Sequence, residues 1–573
     1  MQGSPLPQLT ARAIVAGCGL GVLLAAGNVY TGIKTGYVDG GSIAASVVAF
    51  ALFARRKARS ADSYSPAENN LSQTIASSAA MMASTTGVVG PIAALSMAGH
   101  HYPSWAIALW GVALGALGII VARSLRERLI VVEALPFPTG RATGEVIDAM
   151  HSARSTRGRA RVLFIALSVA TIVTWFRDAR PVWLPQALIL PVGHAALSAA
   201  SLWLGVSLSP VMLAAGSLIG PRAGVSVLFG AVGAWGILAP AVLAMKWVTA
   251  VDYASLLGWL LWPGVALLVS GTLTSFLMDW RGIVRSLRDL RPWLRPSARI
   301  ESAAARSRDA PWAFVAVASV FLTLLIGWGV FGVHPLVALL ALALAFVLAG
   351  VCARAAGETD IAPAGAGGAL GQILLGAPGL VTSLFSGGVI FGTVAQTAQT
   401  MWAFKAGHRL RAHPRAQTVG QLLGAVLGAV VVVPVYTLLL HAYELGTPTM
   451  PAPGAISWKA TAEAVQLGTA AMPSHAAIGA SIAFLLGIAL TLLGRTRFAR
   501  WLPSPLPLGI AFLIPAPLSG AIFVGGATFA ILRAWRPTWT DENVPSLAAG
   551  AIAGESLTGI LIAALLASGV LPG

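Results

Sequence analysis

The chain has 573 residues, 57% of them hydrophobic and 10% charged, with a mean hydropathy of +0.80. A soluble globular protein carries about 25% charged residues, so this composition excludes a soluble fold and places the chain among polytopic membrane proteins. Its formal net charge of +17 sits in short arginine blocks between apolar runs, the pattern of cytoplasmic loops rather than of a nucleic-acid surface.

A spanning helix needs about 20 apolar residues. Candidate runs fall near 11–30, 40–54, 72–98, 104–122, 160–176, 183–203, 205–220, 222–245, 255–278, 311–331, 334–352, 367–386, 388–404, 417–440, 475–494, 505–532 and 545–570. The expected fold is all-α, with about 16 transmembrane or re-entrant segments in two pseudo-symmetric halves. The first run follows Arg12 and shows no small-x-small cleavage site, so it reads as a transmembrane helix rather than a signal peptide. Cys18 and Cys352 lie far apart without metal-type spacing and read as small core residues.

Basic blocks set the orientation. Arg55, Arg56, Lys57 and Arg59, then Arg123, Arg126 and Arg128, then Arg154, Arg157, Arg159 and Arg161, and finally the stretch 281–308 are expected on the cytoplasmic side. That places the N-terminus inside; the protein is expected in the cell's inner (cytoplasmic) membrane. Arg161 and Arg281 then share a face, which requires an even number of crossings between them, yet five candidate runs lie there. A half-helix is therefore expected among them, the suspects being 183–203, with Pro185, Pro191 and His194, and 205–220, with Pro210 and Gly220-Pro221.

The long basic stretch divides the chain into an N-terminal membrane repeat (1–280), a cytoplasmic linker (281–310) and a C-terminal membrane repeat (311–573). Two near-matches at similar offsets point to duplication: "LAAGSLIG" at 213–220 with "LAAGAIAG" at 547–554, and "AAGNVY" at 25–30 with "AAGETD" at 355–360.

Polar groups at membrane depth carry the functional expectations. "NVYTGIKTGYVDGG", 28–41, follows an apolar helix; Asn28, Tyr30, Lys34 and Tyr37 either line a cavity, with Lys34 meeting a carboxylate, or belong to an outer loop with interfacial tyrosines. "SPAENNLSQTIASSAA", 65–80, puts Glu68, Asn69, Asn70, Gln73, Thr74, Ser77 and Ser78 on a helix, facing a cavity or acting as a first-turn acid and interhelical glue. "VEALPFPTGRATGEVIDAMHS", 132–152, suggests a re-entrant helix capped by Thr139 or Thr143, its N-terminus and Arg141 suited to a substrate carboxylate and Glu133 and Glu145 to protons or amines; an amphipathic cytoplasmic hairpin is the alternative. "GETDIAP" supplies Glu358 and Asp360, "GTVAQTAQTMWAFKAG" supplies Gln396, Thr397, Gln399 and Thr400, and Glu555 stands alone in an apolar run. No His-Glu-x-x-His, Walker loop or Gly-x-Ser-x-Gly is present, which argues against an ATP-driven pump or an intramembrane protease.

These motifs resemble the oligopeptide transporter family. "NVYTGIKTGY", "AENNLSQTIASSAA", "LPFPTGRATGEVI", "GETDIAPAGAGGALGQILLG" and "AAGAIAGESLTG" are similar to five family elements, in the family's order, over nearly the whole chain. The sequence lacks the Asn-Pro-Gly and Lys-Ile-Pro-Pro-Arg signatures of the eukaryotic peptide-carrying branch. The resemblance implies a secondary transporter, proton-coupled, carrying short peptides or, as in the yellow-stripe-like branch, metal chelates. By motif position it places Lys34, Glu68, Asn69, Gln73 and Arg141 near the path. The expectation is therefore a proton symporter importing short peptides. Substrate binding would fall to Asn28, Tyr30, Lys34, Tyr37, Asn69, Gln73, Thr139, Arg141 and Gln396, and proton coupling to Glu68, Glu133, Glu145, Glu358, Asp360 and Glu555. Metal-chelate uptake is the alternative, and a membrane-embedded enzyme a more distant one. Partners would be the substrate, protons, the lipid bilayer and a second copy in a homodimer, with no cofactor, resident metal or nucleic acid.

Overall fold

The opening apolar run becomes a helix because Thr10 caps it, its hydroxyl accepting from Ala13 N, and it stops where Gly36 turns left-handed at φ 74°. Glycine takes that conformation without steric cost. The computed structural model describes residues 8–53, 64–152, 156–179, 182–189, 204–278, 284 and 303–571. This first helix, α1 (Ala11–Thr35), is about 37 Å long at 1.5 Å per residue. The following turn folds back along it, with Asn28 Nδ2 donating to Asp39 O at 2.6 Å. α2 (Ser42–Phe53) follows. The opening polar stretch is thus a re-entrant turn tied to the bundle at Asn28 and at buried Gly40 and Gly41, with Gly36 and Asp39 exposed and Tyr37 and Val38 half-buried.

α3 (Pro66–Thr85) begins with a capping box in which Ser65 and Glu68 exchange hydrogen bonds, and every residue from Glu68 onward is buried. After a turn, α4 (Pro91–Met97) prolongs its path. α5 (Ser104–Arg126) returns and ends in a π-helical turn, Glu127–Val132. α6 (Pro138–Ser152) and α7 (Thr156–Asp178) follow. Next come β1 (Ala187–Ile189) and β2 (Gly205–Ser207), an antiparallel pair. α8 (Pro210–Ile219) is another short helix; α9 (Pro221–Ala231) continues through a π turn into α10 (Ala239–Ala244), and α11 (Tyr253–Met278) closes this half.

The C-terminal half comprises α12 (Ala303–Gly329), α13 (Pro335–Thr359), α14 (Ala364–Leu375), α15 (Leu380–Arg409) and α16 (Pro414–Ala442). It continues with α17 (Pro453–Leu467), α18 (Ala476–Leu493), α19 (Pro505–Leu513), α20 (Ala516–Trp535) and α21 (Pro537–Ala567). Among the described residues, 12 helices are long and apolar enough to cross a membrane. The fold is that of an all-α polytopic membrane protein. α3 escapes that criterion only because its buried face is polar.

Lipid gives no hydrophobic incentive for one helix to leave it for another, so close packing of small residues holds such bundles. Here glycines bring backbones together around α3. Gly17 and Gly21 of α1 press on Ser72, Ile75 and Ala79, and Gly424 and Gly428 of α16 meet the carbonyls of Ile75 and Ala79. The rising residue numbers make α1, α3 and α16 parallel. α15 runs the other way, Gly392 against Thr85 and Gln396 against Ser78. On α21, Gly550 and Gly554 meet the carbonyls of Leu163 and Leu167 on α7. Large apolar side chains at helical spacing, such as Phe314, Val317, Phe321 and Trp328 on α12 and Ile478, Ile482 and Leu485 on α18, face outward, as lipid contacts require. Two apolar cores result: one around α1, α3–α5 and α12–α16, the other around α8–α11 and α18–α20.

Several expectations change. The run 183–203 is no crossing where it is described: 187–189 form a strand, and Pro191 and His194 lie outside the described residues. The run 205–220 is a strand followed by half-helix α8, which leaves α7, α9 with α10, and α11 as the described helices long enough to cross between Arg161 and Arg281. The blocks at 55–59 and most of the linker 281–310 also lie outside the described residues. The octets 213–220 and 547–554 occupy unlike elements, a half-helix and the middle of a spanning one, so that match does not mark equivalent positions.

The glycine contacts predict that Gly554→Leu, whose Cβ would run into Leu167 O, costs at least about 2 kcal/mol. Gly19→Leu, with nothing within 4 Å of the added Cβ, should change stability by less than about 0.5 kcal/mol. Thermal unfolding of the detergent-solubilised protein checks both, and equal losses would contradict the packing.

Candidate translocation site

Four elements deliver one buried charge cluster. Lys34 is in the last turn of α1, Arg177 in the last turn of α7, Ser209 caps α8, and Glu555 lies in mid-α21 with 0% exposure. Glu555 Oε1 accepts from Lys34 Nζ at 2.8 Å and from Arg177 Nη2 at 2.9 Å. Its Oε2 accepts from Ser209 Oγ at 2.8 Å and from Val211 N at 2.8 Å. The carboxylate thus sits at the N-terminus of α8, where free N–H groups and the helix dipole favour an anion. Lys34 also donates to Tyr30 Oη at 3.0 Å. Arg177 donates from Nε to Asp178 Oδ1 at 2.7 Å and from Nη1 to Leu208 O at 2.8 Å. One turn away Thr31 and Ser556 share a hydrogen bond of 2.7 Å. Lys34 is therefore paired with Glu555 rather than with Asp39 or Glu68.

Arg177, Asp178 and Ser209 are absent from the sequence-derived set. The available signal was the Arg-Asp pair closing an apolar run, which reads as an ordinary helix end, and Ser209-Pro210, which is an N-cap followed by an N1 proline.

Between this cluster and the arginine-bearing end, the interior of the bundle carries amides. Gln396 on α15 donates to Ser78 Oγ at 2.8 Å and accepts from Thr85 Oγ1 at 3.1 Å. Ser78 in turn donates to Gln421 O at 2.7 Å. Gln399 reaches Ser42 at the start of α2, at 3.4 Å. Asn28 holds Ala80 O at 3.0 Å as well as Asp39 O, so it fastens the re-entrant turn to α3. Gln73 donates to Asn70 Oδ1 at 3.1 Å. Several amide atoms have no protein partner although fully buried: both of Asn69, Nδ2 of Asn70, Oε1 of Gln73 and Nε2 of Gln421. An unpaired buried polar group costs about 1–3 kcal/mol, so a row of them is kept for something other than stability. Gln417 and Gln421 stand four residues apart on α16; that i,i+4 pair in an apolar helix was the signal for a polar face.

Except for Tyr37, the remaining predicted residues lie at the end of the bundle that carries the arginines. Glu68 closes the capping box, accepting from Ser65 N at 2.8 Å, Thr10 Oγ1 at 2.6 Å and Arg12 Nε at 2.7 Å. Glu133 pairs with Arg128 at 3.0 Å and Arg354 at 2.7 Å, and Glu358 with Arg354 at 3.4 Å. The N-terminus of α6 does not face a free space: Asp360 takes Thr139 N at 3.0 Å and Thr139 Oγ1 at 2.6 Å. Arg141, 63% exposed, pairs along α6 with Glu145 at 2.9 Å, so α6 is the amphipathic surface helix rather than a re-entrant one. Tyr37 lies on the re-entrant turn, where its N–H is held by Thr35 Oγ1 at 2.9 Å. No cluster of three or more His, Cys, Asp or Glu that would hold a metal occurs among the described residues.

Half-helices meeting at membrane depth around buried charges and amides define a membrane transporter, with irregular backbone where it borders protein instead of lipid. The chain belongs to the OPT oligopeptide transporter family, whose model matches residues 8–566. It is 23% identical to YGL114W of Saccharomyces cerevisiae, provisionally named an oligopeptide transporter, over 91% of this chain and 90% of that protein. A Haemophilus influenzae protein with the same provisional name is 25% identical over 95% and 93% of the two chains. The iron-phytosiderophore transporter yellow stripe 1 of Zea mays is 24% identical over 78% and 70%. These names are of transporters, not enzymes.

The cluster predicts an order of stabilities. Glu555→Gln leaves Lys34 buried against only Tyr30 and should cost about 3–5 kcal/mol. Lys34→Met should cost less, because Arg177, Ser209 and Val211 still hold the carboxylate. The double variant should be milder than Glu555→Gln alone. A double-mutant cycle on thermal unfolding measures the coupling, and strict additivity would contradict the pairing.

Proposed function

We propose that the protein imports short peptides across the inner (cytoplasmic) membrane, driven by protons. The observation that carries this reading is the row of unpaired amides on α3 and α16. Donors (Asn69 Nδ2, Asn70 Nδ2, Gln421 Nε2) and acceptors (Asn69 Oδ1, Gln73 Oε1) both stand free, the complement of a peptide's own N–H and C=O groups. Uptake of metal chelates is the second reading, favoured by the likeness to the Zea mays transporter. The clustering of Arg12, Arg128, Arg141 and Arg409 at one end supports a cytoplasmic N-terminus.

Two halves of inverted topology are part of the proposal. α1 and α13 have matching lengths of 25 residues, and each is followed by a tight turn into a further helix. Both long helices end on a left-handed cap, Gly36 and Asp360, and α3 and α15, which follow, are antiparallel. Aligning the caps sets Lys34 opposite Glu358 and Asn28 opposite Cys352, a register different from the one that sequence matching suggests. Among the acids, Glu555 is the proton candidate at membrane depth; Glu68, Glu133, Glu145, Glu358 and Asp360 are engaged at the arginine-bearing end.

Uptake of tripeptides and of iron chelates into proteoliposomes, with and without an inward proton gradient, tests the reading; accumulation of neither above equilibrium would refute it. Asn69→Leu should lower peptide uptake at least tenfold while leaving the melting temperature unchanged or raised, since it removes a buried amide with neither atom paired. A melting temperature that falls with uptake would mark the amides as structural.

A further inference from the structure

The anion site at the start of α8 is built for a carboxylate and holds one of the protein's own. Lys34, Arg177, Ser209 Oγ and Val211 N converge on Glu555 from three helices other than its own. This is more recognition than a structural acid needs, because buried ion pairs seldom repay their desolvation. Thr174, fully buried one turn before Arg177, also has a hydroxyl without a protein partner. The groups facing the site can be named from each neighbouring element: Tyr30 and Lys34 on α1, Arg177 and Asp178 on α7, Ser209 and no titratable group on α8, and Tyr443 just beyond α16. They comprise two cations, and two carboxylates when Glu555 is ionised, so the site is neutral as it stands.

We propose that this is a substrate-carboxylate site in which Glu555 is a built-in competitor. The proposal rests on the importer reading above and adds to it the group on the substrate that is read. When Glu555 takes up a proton its carboxylate charge disappears, and Lys34 and Arg177 are left with one anion, Asp178, between them. A substrate carboxylate then binds in its place, accepting from Lys34, Arg177, Ser209 and Val211 N. The charge balance is the same before and after: one proton and one carboxylate enter together, and both must leave together for Glu555 to return. Coupling follows from electroneutrality in a site where an uncompensated charge is costly. A carboxylate is common to free peptides and to amino-carboxylate metal chelates, so the site serves either cargo.

Two arms test this. In the first, the full-length Glu555→Ala variant in detergent is heated in sodium acetate, acetamide with sodium chloride, or sodium chloride alone at equal ionic strength. Acetate should raise its melting temperature by several degrees, acetamide should not, and the wild-type protein should respond to neither. In the second, wild-type proteoliposomes take up trialanine and trialanine amide. The free acid should be favoured at least tenfold, and Glu555→Gln should lower the KM for trialanine and flatten its dependence on pH. Equal effects of acetate and acetamide, or equal uptake of acid and amide by the wild-type protein, would overturn the carboxylate site. If the alanine variant does not fold, the wild-type acid-to-amide ratio decides. If neither peptide is taken up, the peptide-import reading fails, and the acetate response decides this site independently.

Discussion

A single carboxylate organises the protein. Glu555 is the shared partner of α1, α7 and α8, and it is fully buried. Lys34 and Arg177 are tolerable at that depth only because Glu555 is there, and Glu555 only because of them. The two apolar cores meet at this point: α8 belongs to one, α1 to the other, and α21 passes between them. A joint held by charge is unlike one held by packing. Charge can be exchanged for another ion of the same sign, whereas interlocked side chains have no such substitute.

Glycine contacts and amide contacts divide the remaining labour. Where α3 faces α1 at Gly17 and Gly21, and α16 at Gly424 and Gly428, small residues bring the backbones within touching distance. Where it faces α15, Ser78, Thr85 and Gln396 replace apolar packing with directional bonds, and Asn69, Asn70 and Gln73 near its start retain unused capacity. One helix thus presents a closed side and a receptive side. Its position at the centre follows from that division, since a lipid-facing surface would tolerate neither.

Much of this was legible in the sequence. Composition gave the membrane class, the order of motifs gave the family, and Ser65-x-x-Glu68 spelled a capping box. Pro210 and Gly220-Pro221 pointed to a half-helix, and α8 is one. Lys34, Asn69, Gln73, Gln396 and Glu555 drew attention because polar groups at membrane depth are expensive. Partnerships were not legible. Lys34 and Glu555 are separated by 521 residues, and no periodicity reports on such a contact. The same holds for Asp360 and Thr139, which had seemed a free helix N-terminus. Arg177 and Asp178 resembled an interfacial helix end, because burial of a helix terminus depends on neighbours that arrive from elsewhere in the chain.

That separation bears on how the protein is made. Helices enter the bilayer in order, so α1 brings Lys34 and α7 brings Arg177 long before Glu555 is synthesised, 378 residues after Arg177. Through that interval two cations wait in a half-built bundle without their carboxylate. The last helix is therefore not an addition to a finished assembly but the piece that neutralises it. A chain cut short before α21 would lack the carboxylate that pairs with Lys34, while Arg177 would keep only its neighbour Asp178 as a carboxylate partner.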